Sequence, residues 1–260
     1  MCGILFLRSQ MLSLGGAKVP PIELNRDHMN TDHLELYPYI CVYTNLMEDN
    51  EELYDIAQHL SDNPNNNLIF DWKPWSFFGT YGSANADVAS DSSISQIAQS
   101  SENTNYFKEI KIFKRIQEIT KNALNNYVQK YNVELPQKNF ISKAVNIAKY
   151  NVEVDIGEIH GQNGPNGQAM EYHTDYSPDQ NRQDNFLITC NLYFNDDYKK
   201  GGVIFNIEGD RIRYKPNAGD VIVFPSGSPL FPGNKKYLHA VETAYEKNKF
   251  ISRNYIMYEN

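Results

Sequence analysis

The stretch GGVIFNIEGDRIRYKPNAGDVIVFPSG, residues 201–227, decides the fold class of this chain. It contains three short runs rich in β-branched and aromatic residues, separated by turns of Gly, Asn, Asp and Pro. Such runs predict β-strands. Similar runs lie on both sides of it, in FLITCNLYFN (186–195), LHAVET (238–243) and FISRNYIMY (250–258). Many strands without intervening helices predict a sandwich or a barrel of two sheets.

The first half of the chain has a different pattern. Residues 106–131 place apolar side chains three and four positions apart, which predicts an amphipathic helix packed on a sheet. We therefore expect an α+β protein with one domain, residues 37–260. Its helical support would occupy residues 37–147 and its β core residues 148–260. Residues 1–36, which include a stretch rich in Gly, Pro, Asn and Asp, are predicted to be an irregular lead-in.

Composition limits the possible function classes. The chain has 260 residues, of which 41% are apolar and 22% charged, as in soluble globular proteins. A net charge of −8 argues against generic binding to nucleic acids or anionic membranes. From Lys199 to Arg253, however, the sequence contains ten Lys or Arg residues and five Asp or Glu residues, a local net charge of +5. This balance indicates either solvated loops or a positive cleft for an anionic ligand.

Cysteine usage and hydropathy bear on location. The three cysteines, Cys2, Cys41 and Cys190, are widely spaced and lack the pairing of a metal site, which favours a reducing compartment. No stretch approaches the length of a membrane span. We expect a soluble cytoplasmic protein.

The segment EYHTDYSPDQ (171–180) places His173 two residues before Asp175. Residues i and i+2 of a strand point the same way, so both side chains can reach one ion. His239 follows in a later strand-rich run and could supply a third ligand. Two histidines and one carboxylate bind one face of Fe(II) and leave three positions open. Taken singly, each histidine could instead be a hydrogen-bonded structural residue, and Asp175 could cap the following turn.

Several ordered motifs across residues 150–258 carry a family resemblance. YHTD is followed by GGVIFN, YKPNAGDVIVFPSG, LHAVET and SRNYIMY. This order resembles the 2-oxoglutarate/Fe(II)-dependent oxygenase superfamily, in its prolyl-4-hydroxylase-like branch. The turn PNAGD has two residues inserted relative to the Pro-Gly-Asp turn of that family. The resemblance implies a double-stranded β-helix (jelly-roll, cupin-like) core with supporting N-terminal helices.

The resemblance also implies the roles of individual residues. His173, Asp175 and His239 would be the metal ligands. Arg253 would bind the distal carboxylate of 2-oxoglutarate through its two-pronged guanidinium. It follows His239 by fourteen positions, several more than is usual in the family, and residues 245–249 account for the excess as an extended hairpin turn. Tyr193, in YFN (193–195), would bind the same carboxylate or be a core tyrosine.

The implied function is a dioxygenase that uses Fe(II), 2-oxoglutarate and O2, with ascorbate as reductant. Its substrate would be a prolyl residue in a peptide or protein. The alternatives are the same chemistry on a free amino acid, another side chain or a nucleobase, or a jelly-roll binding module without activity. Tyr176, Trp72 and Trp75 are the candidates for the substrate wall, because both tryptophans of the chain lie in one loop-like stretch and Tyr176 follows the ligand pair. For the two tryptophans, burial in the core is the other interpretation.

Overall fold

The computed structural model describes residues 33–44, 46, 52, 55, 73–74, 86–90, 107–141, 146–150, 168–175, 184–227, 230–231 and 236–259. Among the described residues, helix α1 spans Phe107–Tyr131. The strands are β1 (His33–Tyr37), β2 (Ile40–Tyr43), β3 (Lys73–Pro74), β4 (Ala86–Ser90), β5 (Asn139–Ile141), β6 (Asn146–Tyr150), β7 (Gln168–His173), β8 (Asp184–Tyr193), β9 (Lys199–Lys200), β10 (Val203–Ile207), β11 (Asp210–Tyr214), β12 (Val221–Pro225), β13 (Leu238–Glu242), β14 (Ala244–Tyr245) and β15 (Lys249–Glu259).

The strands form two principal antiparallel sheets. The major sheet has nine strands in the order β1-β2-β12-β8-β15-β6-β4-β3, with β5 also paired to β15. The minor sheet has four strands in the order β11-β10-β13-β7. The aromatic rings of Phe205 in β10 and Phe224 in β12 meet at 5.1 Å between centroids, so the inner faces of the two sheets pack on each other. This arrangement confirms the predicted α+β class with a double-stranded β-helix core.

Helix α1 covers the outer face of the major sheet, where it contacts β8, β12 and β15. The predicted bounds, 106–131, agree with the observed helix to within one residue. Its predicted apolar stripe is buried at Ile116, Ile119 and Ala123. A 25-residue helix with this stripe is a support for the sheet, as its pattern indicates. Among the described residues, no helix is long and apolar enough to cross a membrane.

The first part of the chain contributes more strand than the sequence indicated. β1 begins at His33, so the predicted boundary at residue 36 falls inside a strand. β1 pairs with β2 through a tight turn in which Tyr39 has a φ of 69°. The segment HLELY lacks the β-branched residues that mark a strand, and it becomes one because β2, buried at all four positions, offers it a paired edge.

Candidate metal centre

His173 and His239 face each other across two paired strands of the minor sheet. His173 is the last residue of β7 and lies in register with His239 of β13. Their ring centroids are 4.3 Å apart. Strand pairing therefore brings together two imidazoles that are distant in the chain.

Asp175, just beyond the end of β7, completes a cluster of three ligand groups. Its Oδ1 atom lies 3.6 Å from Nε2 of His173, and its Oδ2 atom lies 3.7 Å from Nε2 of His239. One ligand atom from each residue lies within 4.8 Å of the other two. Ligand atoms bonded at right angles to one ion at about 2.1 Å are about 3 Å apart, so a small inward movement would complete the coordination. The cluster thus fits a divalent transition metal, for which two imidazoles and one carboxylate are the donor set of non-haem Fe(II).

The orientation of His239 is fixed by its surroundings. Its Nδ1 atom lies 3.3 Å from the carbonyl oxygen of Tyr237, which can only accept, so Nδ1 carries the hydrogen. The lone pair then lies on Nε2, the atom that faces Asp175. The ring packs against Phe224 at 4.8 Å, and the side chain is almost completely buried. Burial and the neighbouring His173 lower the pKa of His239 to about 4, so the imidazole is neutral at physiological pH, as a metal ligand must be.

The carboxylate of Asp175 is held by a chain of hydroxyl groups from the major sheet. Thr189 of β8 donates a hydrogen bond to Oδ2 of Asp175 at 2.7 Å, and Ser226 contacts the Thr189 hydroxyl at 2.7 Å. Burial raises the pKa of Asp175, but His239, His173 and Thr189 together lower it well below its usual range. The carboxylate is therefore ionised and oriented before any metal binds.

We expect Thr189→Val to lower the affinity for Fe(II) about tenfold, because the carboxylate loses the partner that orients it. The fold should be retained, since valine has nearly the same shape and suits a strand. Calorimetric titration of the metal-free protein with Co(II) as a stable substitute measures the effect. Thr120→Val is the matched control, because Thr120 is buried in α1 and bonds the carbonyl of Ile116. Equal affinities in the two variants would show that Thr189 does not support the ligand.

The inner face of the major sheet can be followed in rows, because paired residues of neighbouring strands point the same way. Thr189 and Tyr255 form the metal row, Asn191 and Arg253 the middle row, and Tyr193 and Ile251 the deep row. Lys249, two residues before Ile251, follows the deep row on the same face. Arg253 and Tyr193, predicted from the sequence, thus both lie on the face that carries Thr189, the partner of Asp175.

Lys249, which the sequence did not single out, is a buried lysine on the same face of the major sheet as Tyr193. The side chain is 1% exposed, and its Nζ atom donates to the carbonyl oxygen of Gly201 at 2.6 Å. The same ammonium lies 5.0 Å from the ring centre of Tyr150 and 5.3 Å from that of Tyr193. Burial lowers the pKa of Lys249 to about 7, with Glu242 opposing the shift. The carbonyl and the aromatic faces also favour the charged form.

Lys249 has no carboxylate partner, and a buried hydroxyl near it has no hydrogen-bond partner, among the described residues. Lys249 makes no ion pair with any carboxylate in the described part of the chain, and Glu242 is held by Arg213 at 2.7 Å. The buried hydroxyl of Tyr198, whose ring centre lies 5.8 Å from Lys249 Nζ, has no hydrogen-bond partner among the same residues. A buried cation is usually paired, so the surroundings of Lys249 suit a carboxylate supplied by a ligand.

The local positive balance divides into a surface part and an interior part. At the surface, Lys247 pairs with Asp197 at 2.6 Å, and Lys199 pairs with Glu246 at 3.3 Å. These contacts agree with the interpretation of solvated loops. Lys249, in contrast, is buried on the inner face of the major sheet, the face that also carries Thr189.

The candidates for the substrate wall, Tyr176, Trp72 and Trp75, lie outside the described residues. They remain predictions. Thr174, the residue between the two ligands, packs against Gly227, where a Cβ atom would come within 3.0 Å of it. The turn after β12 therefore approaches the ligand pair closely.

The chain is similar to known proteins both in sequence and in structure. Residues 159–257 match the family model of the 2OG-Fe(II) oxygenase superfamily. No curated protein sequence matches the chain significantly. A dioxygenase for auxin oxidation from Arabidopsis thaliana, in its 2-oxoglutarate complex, is similar in structure with a TM-score of 0.53 at 11% identity, over 85% of this chain and 84% of that one.

Two further solved structures are similar at low identity. A prolyl hydroxylase from Trichoplax adhaerens, in complex with a hypoxia inducible factor peptide fragment, has a TM-score of 0.50 at 12% identity, over 85% of this chain and 84% of that one. The viral collagen prolyl hydroxylase of Paramecium Bursaria Chlorella virus-1 has a TM-score of 0.48 at 17% identity, over 85% and 96% of the two chains. At such identities the likenesses with TM-scores of 0.50 and 0.53 show the fold alone. The family is indicated by the sequence match over residues 159–257.

Proposed function

We propose that this protein, whose residues 159–257 belong to the 2OG-Fe(II) oxygenase superfamily, is a dioxygenase that hydroxylates a prolyl residue in a peptide or protein. The observation that carries the proposal is the cluster of His173, Asp175 and His239, with its ligand atoms within 4.8 Å of one another. When bound there, Fe(II) with 2-oxoglutarate and O2 would supply the oxidising power: the cosubstrate loses CO2 and takes up one oxygen atom to give succinate, and the other oxygen atom enters a C–H bond of the substrate.

The residues of the chain would prepare this chemistry by holding the metal at one face only. His173 and His239 approach from the minor sheet, whereas Asp175 is held by Thr189 from the major sheet. A metal held by these three residues would be fixed from both sheets, and a three-residue ligand set would leave room for cosubstrate and oxygen. Phe224 and Phe205 cover His239 and exclude water from that side.

We assign the distal carboxylate of 2-oxoglutarate to Lys249, with Tyr193 beside it. The support is the burial of the ammonium and its lack of an ion pair among the described residues, together with its 5.3 Å distance to the Tyr193 ring. Lys249 follows His239 by ten residues, which removes the excess spacing that the choice of Arg253 required. Arg253 remains the alternative for this carboxylate.

The proposal of a prolyl substrate rests on the order of motifs shared with the prolyl-4-hydroxylase-like branch. A cytoplasmic location, which we also propose, agrees with Cys41 and Cys190, both buried free thiols. Ascorbate is proposed as the reductant that keeps the iron in its Fe(II) state.

We expect a proline-rich peptide to stimulate succinate formation and to gain the mass of one oxygen atom. The assay contains the protein, Fe(II), ascorbate and labelled 2-oxoglutarate, and the matched control is the same peptide with alanine in place of each proline. Stimulation by the proline peptide alone supports prolyl hydroxylation. Turnover of 2-oxoglutarate without hydroxylation of either peptide would support the dioxygenase activity and contradict the prolyl substrate. No turnover under any condition would overturn the dioxygenase itself.

A further inference from the structure

We propose that Arg253 and Asn191 bind the keto-acid end of 2-oxoglutarate, between the metal ligands and Lys249. The inference rests on the proposed function and deepens it. It places two polar residues, not one, along the cosubstrate pocket. The two carboxylates of the cosubstrate would then each have a cation of the chain.

The position of the middle row is the first support. Asn191 and Arg253 are in register with each other on β8 and β15. One side of them is the metal row, where Thr189 bonds Asp175, and the other side is the deep row, which contains Tyr193. A molecule that reaches from the metal to Lys249 has to pass this middle row.

The side chain of Asn191 is the second support. It is 8% exposed, and its Oδ1 atom is buried with no hydrogen-bond partner in the described part of the chain. Thr189 and Tyr193, two residues to either side, share its face of the strand. A buried amide oxygen without a donor is costly in the interior, where a leucine would pack without that cost. An amide both donates and accepts, so it can bond a keto oxygen or a carboxylate.

The guanidinium of Arg253 is the third support. Its side chain forms a hydrogen bond with Tyr255, a member of the metal row. This contact and the register of β15 with β8 place the cation next to the metal row. A guanidinium binds a carboxylate in a two-pronged geometry, which suits the carboxylate that lies next to the metal.

Two analogues separate the ends of the cosubstrate. Levulinate has a methyl group where 2-oxoglutarate has the carboxylate next to the keto group. In 2-oxopentanoate, a methyl group replaces the distal carboxylate instead. Binding of each compound to the Zn(II)-loaded protein is measured by calorimetry, so no activity is needed. The variants are Arg253→Gln and Lys249→Met.

We expect Arg253→Gln to weaken the binding of 2-oxoglutarate and of 2-oxopentanoate by about 10- to 100-fold. The binding of levulinate should be unchanged. Lys249→Met should show the opposite pattern: it should weaken the binding of 2-oxoglutarate and of levulinate but not that of 2-oxopentanoate. If Arg253→Gln weakens levulinate and spares 2-oxopentanoate, Arg253 binds the distal carboxylate and the inference is overturned. If the wild-type zinc protein binds no 2-oxoglutarate, the proposed function fails and the inference falls with it.

Two more variants keep the test independent of folding defects. Arg253→Lys retains the charge and should recover part of the binding of 2-oxopentanoate, although without the two-pronged geometry. Asn191→Leu should weaken the binding of 2-oxoglutarate about threefold to tenfold, while the melting temperature of the ligand-free protein stays equal or rises. A fall in melting temperature with unchanged binding would show that Asn191 is a structural residue.

Discussion

Asp175→Ala is expected to abolish stable Fe(II) binding and to lower 2-oxoglutarate turnover more than about 100-fold. Loss of a group that only orients a ligand costs about 10- to 100-fold, so loss of the ligand itself should exceed that range. The two histidines would remain, but two neutral ligands leave the charge of the ion without a carboxylate counterpart. Metal content after anaerobic loading and release of labelled CO2 measure the two effects.

The fold should survive this substitution. Thr189 loses one partner but keeps Ser226 at 2.7 Å, so no buried hydroxyl is left unbonded. Asp210→Ala is the matched control, because Asp210 is an exposed carboxylate on β11 in the minor sheet. Iron content in Asp175→Ala equal to that of Asp210→Ala would refute the candidate metal centre.

Lys249→Met is expected to raise the KM for 2-oxoglutarate roughly 100-fold, because the distal carboxylate would be buried without a cation, a loss of about 3 kcal/mol. Metal binding should be unchanged, since Lys249 touches none of the three ligands. Lys247→Met is the matched control: it lies two residues earlier and pairs with Asp197 at the surface. Equal KM values in the two variants would exclude Lys249 from the cosubstrate pocket.

The same substitution should change the pH dependence of the ligand-free protein. The pKa of Lys249 is lowered to about 7 in the folded state, below its value near 10.5 in the unfolded chain. Between these values the unfolded chain binds more protons, so the contribution of Lys249 to stability rises with pH from 7 to 10.5. Binding of 2-oxoglutarate should weaken over the same window, because the carboxylate needs the ammonium form. Denaturant unfolding and calorimetry at several pH values should show both trends in the wild type and neither in Lys249→Met.

The sequence allowed the fold and the metal cluster to be predicted because both depend on short repeating patterns. Many short strands without intervening helices indicated two sheets, and the spacing of His173 and Asp175 indicated one shared face. The pairing of β7 with β13 then brings His239 opposite His173. Residue patterns and the order of motifs shared with a family together suffice for such contacts.

Lys249 could not be found in this way because its burial is a tertiary property. It lies in the polar segment YEKNK, which is typical of an exposed turn. In the structure β14 ends at Tyr245 and β15 begins at Lys249, so the turn is shorter and the lysine belongs to a strand. The support that Thr189 gives to Asp175 was equally hidden, since threonine is a common strand residue with no spacing signal.

The opposition of His173 and His239 across β7 and β13 has a consequence for the life of the protein in a cell. An ion bound there would join two remote chain segments, so it would bind the folded state and not the unfolded chain. The free energy of unfolding would then rise with the logarithm of the ratio of the free iron concentration to the dissociation constant. Unfolded protein is removed by proteases, and a loss of one or two kcal/mol changes abundance severalfold. Scarcity of iron would therefore deplete the protein itself, and the cellular level of this chain would follow the iron supply.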